Sequence, residues 1–368
     1  MTHETGKPSK TGNAYEPVLE VWRGPIVESL HLGAVAVVRS DGVLTHSYGD
    51  PQAVTYVRSA AKPFQLLPFV ELGGPEHFQL TEQELAILGA SHDGTDAHVT
   101  VLERIQAKTG ITEADLKCGA HPPYHGPSEK ALWLRGQSPS QNHHNCSGKH
   151  TMMLALAKML GAPQENYLEI EHPVQQLILK TFSEMVSMPQ EQVILGLDNC
   201  SAPVFAVPLY NAALGFARLV DPDCLPAKRA AACRQITKAM TNYPEMIAGR
   251  GTFDTTLMEI SRGKLITKAG AEGFQGTGLF PETIPGVSKG FGLVVKIAEG
   301  DISGHFRENS ESAEGRARPV VTIEALRQLE ALSPGEIHSL TAFDRRVQYN
   351  WRKLEVGSFV PAFSLEKH

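Results

Sequence analysis

Hydrophobic positions change their period twice along the 368-residue chain. Between Val18 and Tyr48 the short apolar runs VLEVW, AVAVV and VLTHSY are separated by Gly-Pro and Ser-Asp-Gly breakers, which predicts strands of an antiparallel sheet. After Tyr56, apolar residues recur every three or four positions in KPFQLLPFVELG, ELAILGA, ALWLRG, KHTMMLALAKML, EHPVQQLILKTFSEMV, VFAVPLYNAALGFARLV and AACRQITKAM, the spacing of amphipathic helices. Strand-like runs return at KLITKAG and FGLVVKIAEG. The polar stretch GHFRENSESAEGRARP, within 303–319, then reads as an exposed hairpin tip or mobile loop before VVTIEALRQLEAL. The expected fold is α/β: an antiparallel sheet built from both ends of the chain and flanked by helices, with a mainly helical insert. Residues 1–15 read as a flexible N-terminus and 16–368 as a single unit, in which 16–58 and 262–368 carry the sheet and 59–261 is mainly helical.

Composition narrows the class of partner. With 42% hydrophobic and 20% charged residues the chain can bury a sizeable core, and a formal net charge of -6 leaves no basic footprint for nucleic acid. The start, MTHETGKPSKTGNAYEPVLE, lacks the apolar core of a signal peptide, and no run is long enough to span a bilayer, so the expectation is a cytoplasmic protein without membrane partners. Five cysteines, Cys118, Cys146, Cys200, Cys224 and Cys233, are an odd number and argue for thiols or metal ligands over a disulfide framework.

Three short motifs carry the candidate chemistry: Ser59-Ala60-Ala61-Lys62, Ser91-His92-Asp93 and Lys268-Ala269-Gly270. Their order is that of the S-x-x-K, S-D-N and K-T-G elements with which penicillin-binding proteins and class A β-lactamases activate a serine. A hydroxyl is a poor nucleophile near neutral pH, and a lysine with a lowered pKa can take its proton. The spacing predicts Ser59 at a helix cap with Lys62 in the first turn on the same face, and Pro63 limits how far upstream that helix extends. Read singly, Ser59 is equally an N-cap, Ser91-His92-Asp93 a polar turn, and Lys268 a solvated charge on a strand. The order of all three favours catalysis.

The segment His143-His144-Asn145-Cys146-Ser147-Gly148-Lys149-His150, with Asp198-Asn199-Cys200 later, offers the residue types that zinc prefers. Its spacing matches no common zinc motif, so buried structural cysteines are the reading from spacing, with a Cys-His nucleophile as a further alternative. Asp254, in Thr252-Phe253-Asp254-Thr255, is either a helix cap or a carboxylate for a substrate ammonium.

The stretches RSAAKPFQ, GASHDGTDAH, CGAHPP, NCSGKHTMML, EHPVQQ, LDNCSAPVFAVPL, AMTNYPEMIAG, FDTTLM, ITKAGAEG and KGFGLVVKI closely resemble the class 3 L-asparaginases, the thermolabile inducible type. They run in order from about residue 20 to about 300. The resemblance implies a fold similar to the serine β-lactamases and glutaminases, hydrolysis of L-asparagine, and a homodimer. It implies two Ser-Lys pairs, Ser59 with Lys62 and Ser91 with Lys268, and zinc held by Cys146, Lys149 and Cys200 with Asp198 close by. Arg58, Asp254 and His92 complete the expected set as substrate-binding side chains, Arg58 and Asp254 by charge complementarity to the α-carboxylate and α-ammonium. Two departures stand out: Asn199 where the family usually has glycine, and Thr252 where arginine is common.

Overall fold

The computed structural model describes residues 14–301, 315–344 and 347–368. The N-terminal apolar runs form β1 (Glu16–Arg23), β2 (Ile26–Arg39) and β3 (Leu44–Tyr48), and the C-terminal ones β7 (Leu265–Gly270), β8 (Phe274–Leu279) and β9 (Phe291–Ile297). With β10 (Val347–Tyr349) and β11 (Glu355–Pro361) they make one antiparallel sheet in the order β10-β11-β1-β2-β9-β8-β7. β3 also pairs with β2, and β12 (Glu366–Lys367) pairs with β3. The two ends of the chain therefore meet in the middle of the sheet, where Gly33 to Arg39 of β2 run against Ile297 to Phe291 of β9.

The expected helical segment holds α1 (Lys62–Glu71), α2 (Gly74–His77), α3 (Glu82–Leu88), α4 (Asp96–Thr109) and α5 (Gly126–Leu134). It continues with α6 (Ser147–Leu160), α7 (Pro173–Val186), α8 (Leu209–Val220), α9 (Ala227–Asn242), α10 (Pro244–Ile247) and α11 (Phe253–Ser261). α12 (Arg318–Gln328) and α13 (Pro334–Ser339) follow the sheet. Within this segment VFAVPLYNAALGFARLV departs from its helical reading. Its first part is a strand, β6 (Pro203–Pro208), which pairs with β4 (Val54–Tyr56) and β5 (Ile194–Leu197) in a second, three-stranded sheet. An unbroken apolar run has no period of its own. Here the β-branched and aromatic residues favour a strand, and Pro208 ends it so that α8 starts at Leu209.

Helix α8 lies on β9, β8 and β2, while α12 lies on β9 and β8. The contact with α8 depends on glycines in β8 and β9. A Cβ on Gly292 would sit 1.8 Å from the Ala213 carbonyl oxygen, and one on Gly276 would sit 2.0 Å from the Phe216 ring. The expected flexible terminus and the polar stretch before Arg318 fall almost wholly outside the described residues. No helix among the described residues is long and apolar enough to cross a membrane.

Candidate active site

Strand β4 ends at Tyr56, and Val57 N–H donates to Phe205 O (3.0 Å), which ties the next turn to β6. That turn, Arg58–Ala61, is a short 3-10 helix, and α1 begins directly after it at Lys62. Ser59 thus lies inside this short helix, two residues before Ala61, which takes the α1 cap position at which the spacing placed Ser59. Pro63 occupies the second position of α1, where its missing N–H costs no helical hydrogen bond.

Lys62 is 1% exposed, and its Nζ donates to Ala90 O (2.6 Å), Ser91 Oγ (2.8 Å) and Asn145 O (3.3 Å). The hydroxyl bonded to Lys62 is therefore Ser91, where the resemblance pairs Lys62 with Ser59. Ser91 follows α3 and is fixed by its own N–H on Ile247 O (2.9 Å). Lys268 reaches the same region because Gly270 lets the end of β7 approach the turn: a Cβ there would lie 2.5 Å from Val57 O. Lys268 is also 1% exposed, donates to Ala269 O (2.9 Å) and lies 4.0 Å from Asp254 Oδ2. Burial pushes its ammonium down to about 8; Asp254 opposes the shift and the charge of Lys62 adds to it.

The three side chains expected to bind substrate have other partners here. Arg58, at φ +50, donates from Nε (3.1 Å) and Nη2 (2.8 Å) to Asp198 Oδ1, and from Nη2 to Asn199 Oδ1 (3.3 Å). That ion pair offsets the cost of a left-handed arginine, on the order of 1 kcal/mol. Asn199, one of the two departures, is thus tied to the same arginine. Asp254, 3% exposed, accepts Ala269 N–H at Oδ2 (2.7 Å) and Gln275 Nε2–H at Oδ1 (2.8 Å). The helix cap is Thr252, the second departure; its Oγ1 accepts from Thr255 N. His92 is fully buried: Nδ1 accepts Gly94 N–H (3.1 Å), so Nε2 carries the proton to Ser147 Oγ (2.9 Å). It holds the Ser91 turn to the start of α6 and presents no free nitrogen to a ligand.

His92 and its ring neighbour His98 make a pH-dependent contribution to stability. Burial, then His98 and Lys62, push His92 well below the ordinary 6.5, and burial pushes His98 to about 4. The unfolded chain binds protons on these rings below pH 6.5 while the folded chain does not. Stability is thus expected to fall as pH drops from about 6.5 to about 4, by roughly 1.4 kcal/mol per pH unit per ring. Urea midpoints measured across that window should decline, and a flat profile would contradict neutral burial of the two imidazoles.

The thiols form a second buried cluster. Cys146 caps the N-terminus of α6, and Gly148 lets that helix pack on the end of α3, since a Cβ would lie 2.2 Å from Ile87 O. Lys149 Nζ donates to Cys200 Sγ (3.0 Å), and the thiols of Cys146 and Cys200 perturb each other. The Cys146 S–H, then Lys149 and His150, hold Cys200 far below the ordinary thiol range, while Cys146 rises well above it. Burial lowers Lys149, but Cys200, Cys146 and Asp198 outweigh it and hold its ammonium above the ordinary value. Asp198 itself is turned to Arg58, and among the described residues it forms no compact set of ligand atoms with both thiols.

Several participants have little sequence signature. Asn145 contributes only a backbone carbonyl to Lys62. His150 takes the Tyr167 hydroxyl at Nδ1 (2.6 Å), and its Nε2, buried on the Cys200 side, has no well-formed hydrogen bond among the described residues. Gln275 is a fully buried amide in β8, a strand of Phe274, Gln275, Gly276, Thr277, Gly278 and Leu279 whose pattern does not single it out.

Comparison with known proteins adds the family. A probable glutaminase from Bacillus subtilis, complexed with 6-diazo-5-oxo-L-norleucine, is 13% identical with a TM-score of 0.38, over 81% of this chain and 84% of that one. The protein Mglu, in its tris and glutamate form, is 13% identical with a TM-score of 0.39, over 86% of this chain and 63% of that one. No curated protein gives a sequence match. The L-asparaginase II family profile matches residues 19–361, nearly the whole chain, and the protein is a member of the L-asparaginase II family.

Proposed function

We propose that the protein hydrolyses L-asparagine to L-aspartate and ammonia through an ester on Ser59. Family membership supports the coarser part of this reading, an amidohydrolase of the asparaginase or glutaminase type. The observation that carries the finer part is the convergence of Lys62, Ser91 and Lys268 beside the turn that bears Ser59. In the first step Ser59 Oγ bonds to the side-chain amide carbon, Lys62, entering the step as the neutral amine, takes the hydroxyl proton and becomes the ammonium, and the Ser59 backbone N–H faces the developing oxyanion. The C–N bond then breaks. A proton relayed by Ser91 and Lys268 goes to the leaving nitrogen, and water next adds to the ester to release aspartate. A group titrating near pH 8 suits that exchange, because it both gives and takes protons close to neutrality.

One observation favours a second reading. Lys62 Nζ is 2.8 Å from Ser91 Oγ, so Ser91 is the alternative nucleophile. The first experiment is an ammonia assay with asparagine and glutamine in parallel. Turnover of asparagine with a preference over glutamine is expected; release from glutamine alone would make the protein a glutaminase, and none from either would leave a non-catalytic zinc-binding role.

Zinc belongs to the same proposal. Two soft sulfurs with a lysine nitrogen 3.0 Å from one of them, all buried, fit a zinc ion chemically, and Cys146, Cys200 and Lys149, once the lysine gives up its proton, would hold it. Bound there it supplies a fixed positive charge that orients a substrate carboxylate or the surrounding loops. Near-stoichiometric zinc in the purified protein is expected by elemental analysis, and chelation should raise KM more than it lowers the unfolding midpoint. Protein free of zinc as purified would refute this part. A cytoplasmic homodimer completes the reading, with oligomeric state measurable by light scattering.

A further inference from the structure

A buried amide connects the open edge of the main sheet to the charge on Lys268. Strand β7 is the last strand of that sheet, and Asp254, at the second position of α11, accepts the Ala269 N–H there (2.7 Å). The same carboxylate lies 4.0 Å from Lys268 Nζ. Its other oxygen accepts from Gln275 Nε2 (2.8 Å), which also donates to Thr267 Oγ1 (2.6 Å). On the far side Gln275 Oε1 accepts from Arg318 Nη1 of α12. The amide has one available orientation, with nitrogen toward two oxygens and oxygen toward a guanidinium. Gln275 and Thr267 are 0% exposed, Asp254 3% and Arg318 8%, so none of these charges is screened by bulk water.

The glutamine separates two groups that attract each other strongly. A direct bidentate Arg318–Asp254 pair would draw the carboxylate away from β7 and from Lys268. With the amide between them, Asp254 stays on Ala269 and faces Lys268 while Arg318 is satisfied. We propose that Gln275 is a positioning residue that holds Asp254 between Arg318 and Lys268, and so governs when Lys268 takes up and gives up its proton. The charged groups that act on Lys268 are Asp254 from α11, 4.0 Å away, then Lys62 from α1, Cys146 at the cap of α6 and Arg318 from α12. Asp254 and Cys146 favour the ammonium, and Lys62 and Arg318 oppose it.

This inference deepens the hydrolase reading and rests on it. The test is the pH profile of kcat/KM for asparagine in wild type, Gln275→Glu and Arg318→Met. Gln275→Glu adds negative charge at constant size, and Arg318→Met removes a cation. Both favour the Lys268 ammonium, so the alkaline limb of the profile, where Lys268 must still hold the proton it passes to the leaving nitrogen, moves to higher pH by about 0.5 unit or more. Asp254→Asn moves it to lower pH. NMR titration of isotopically labelled lysine side chains follows the same proton without turnover and should shift in the same directions. A loss of kcat at every pH with an unmoved limb and unmoved Lys268 titration would overturn the proposal and leave Gln275 a packing residue. Absence of asparagine turnover in the wild type would instead be a failure of the hydrolase reading, and the NMR titration would still decide the role of Gln275.

Discussion

Ser59→Ala is expected to lower ammonia release from asparagine by ~10³-fold or more while leaving the fold intact, because no second hydroxyl takes over an attack geometry built for one. The fold should survive because Ser59 is half-exposed and the turn that carries it is held by backbone bonds, Val57 N–H to Phe205 O (3.0 Å) and Ala60 N–H to Val57 O (3.1 Å). Circular dichroism and the unfolding midpoint should match wild type. Ser91→Ala serves as the companion variant. It takes the hydroxyl acceptor from Lys62 Nζ, and a partial loss, ~10²-fold, is expected of a proton-relay group. A reversed ranking of the two variants would transfer the nucleophile to Ser91.

The second large effect concerns stability. Lys149→Met removes the buried cation that donates to Cys200 Sγ at 3.0 Å and leaves that sulfur without its cationic partner in the interior. Breaking a buried pair from one side costs about 3 kcal/mol, much of it from the charge left behind. Urea denaturation of metal-free protein should show that loss. Lys149→Met combined with Cys200→Ala should cost clearly less than the sum of the single changes, because no isolated charge then remains. Strictly additive losses would mean that the two side chains do not form a pair.

How much of this was legible in the sequence depends on what fixed each residue. The sheet from both ends of the chain was readable because AVAVV and FGLVVKI are too apolar for anything but a buried strand or helix and are bounded by breakers. VFAVPL was not, since an apolar run without a period is assigned only by its neighbours, here β4 and β5. Ser59 and Lys62 belong to one local motif, so their pairing was expected from spacing alone, whereas the hydrogen bonds of Lys62 Nζ go to Ala90 O, Ser91 Oγ and Asn145 O. The hydroxyl partner could not be read that way: Ser91 arrives through the packing of α3 on α6, a contact set by Gly148 and invisible along the chain. Charge complementarity suggested Arg58 and Asp254 as clamps for a zwitterion. Each is already engaged within the protein, Arg58 by Asp198 and Asp254 by Ala269 and Gln275. His92, expected as a substrate-binding side chain, is buried with its ring nitrogens on Gly94 N–H and Ser147 Oγ, a packing that adjacent residues do not reveal.

The most direct test of the account is to quench the enzyme during asparagine turnover with acid and map the peptides by mass spectrometry. The account predicts an aspartyl ester on the peptide carrying Ser59, absent from Ser59→Ala. An ester on the Ser91 peptide, or turnover with no ester on either serine, would contradict it.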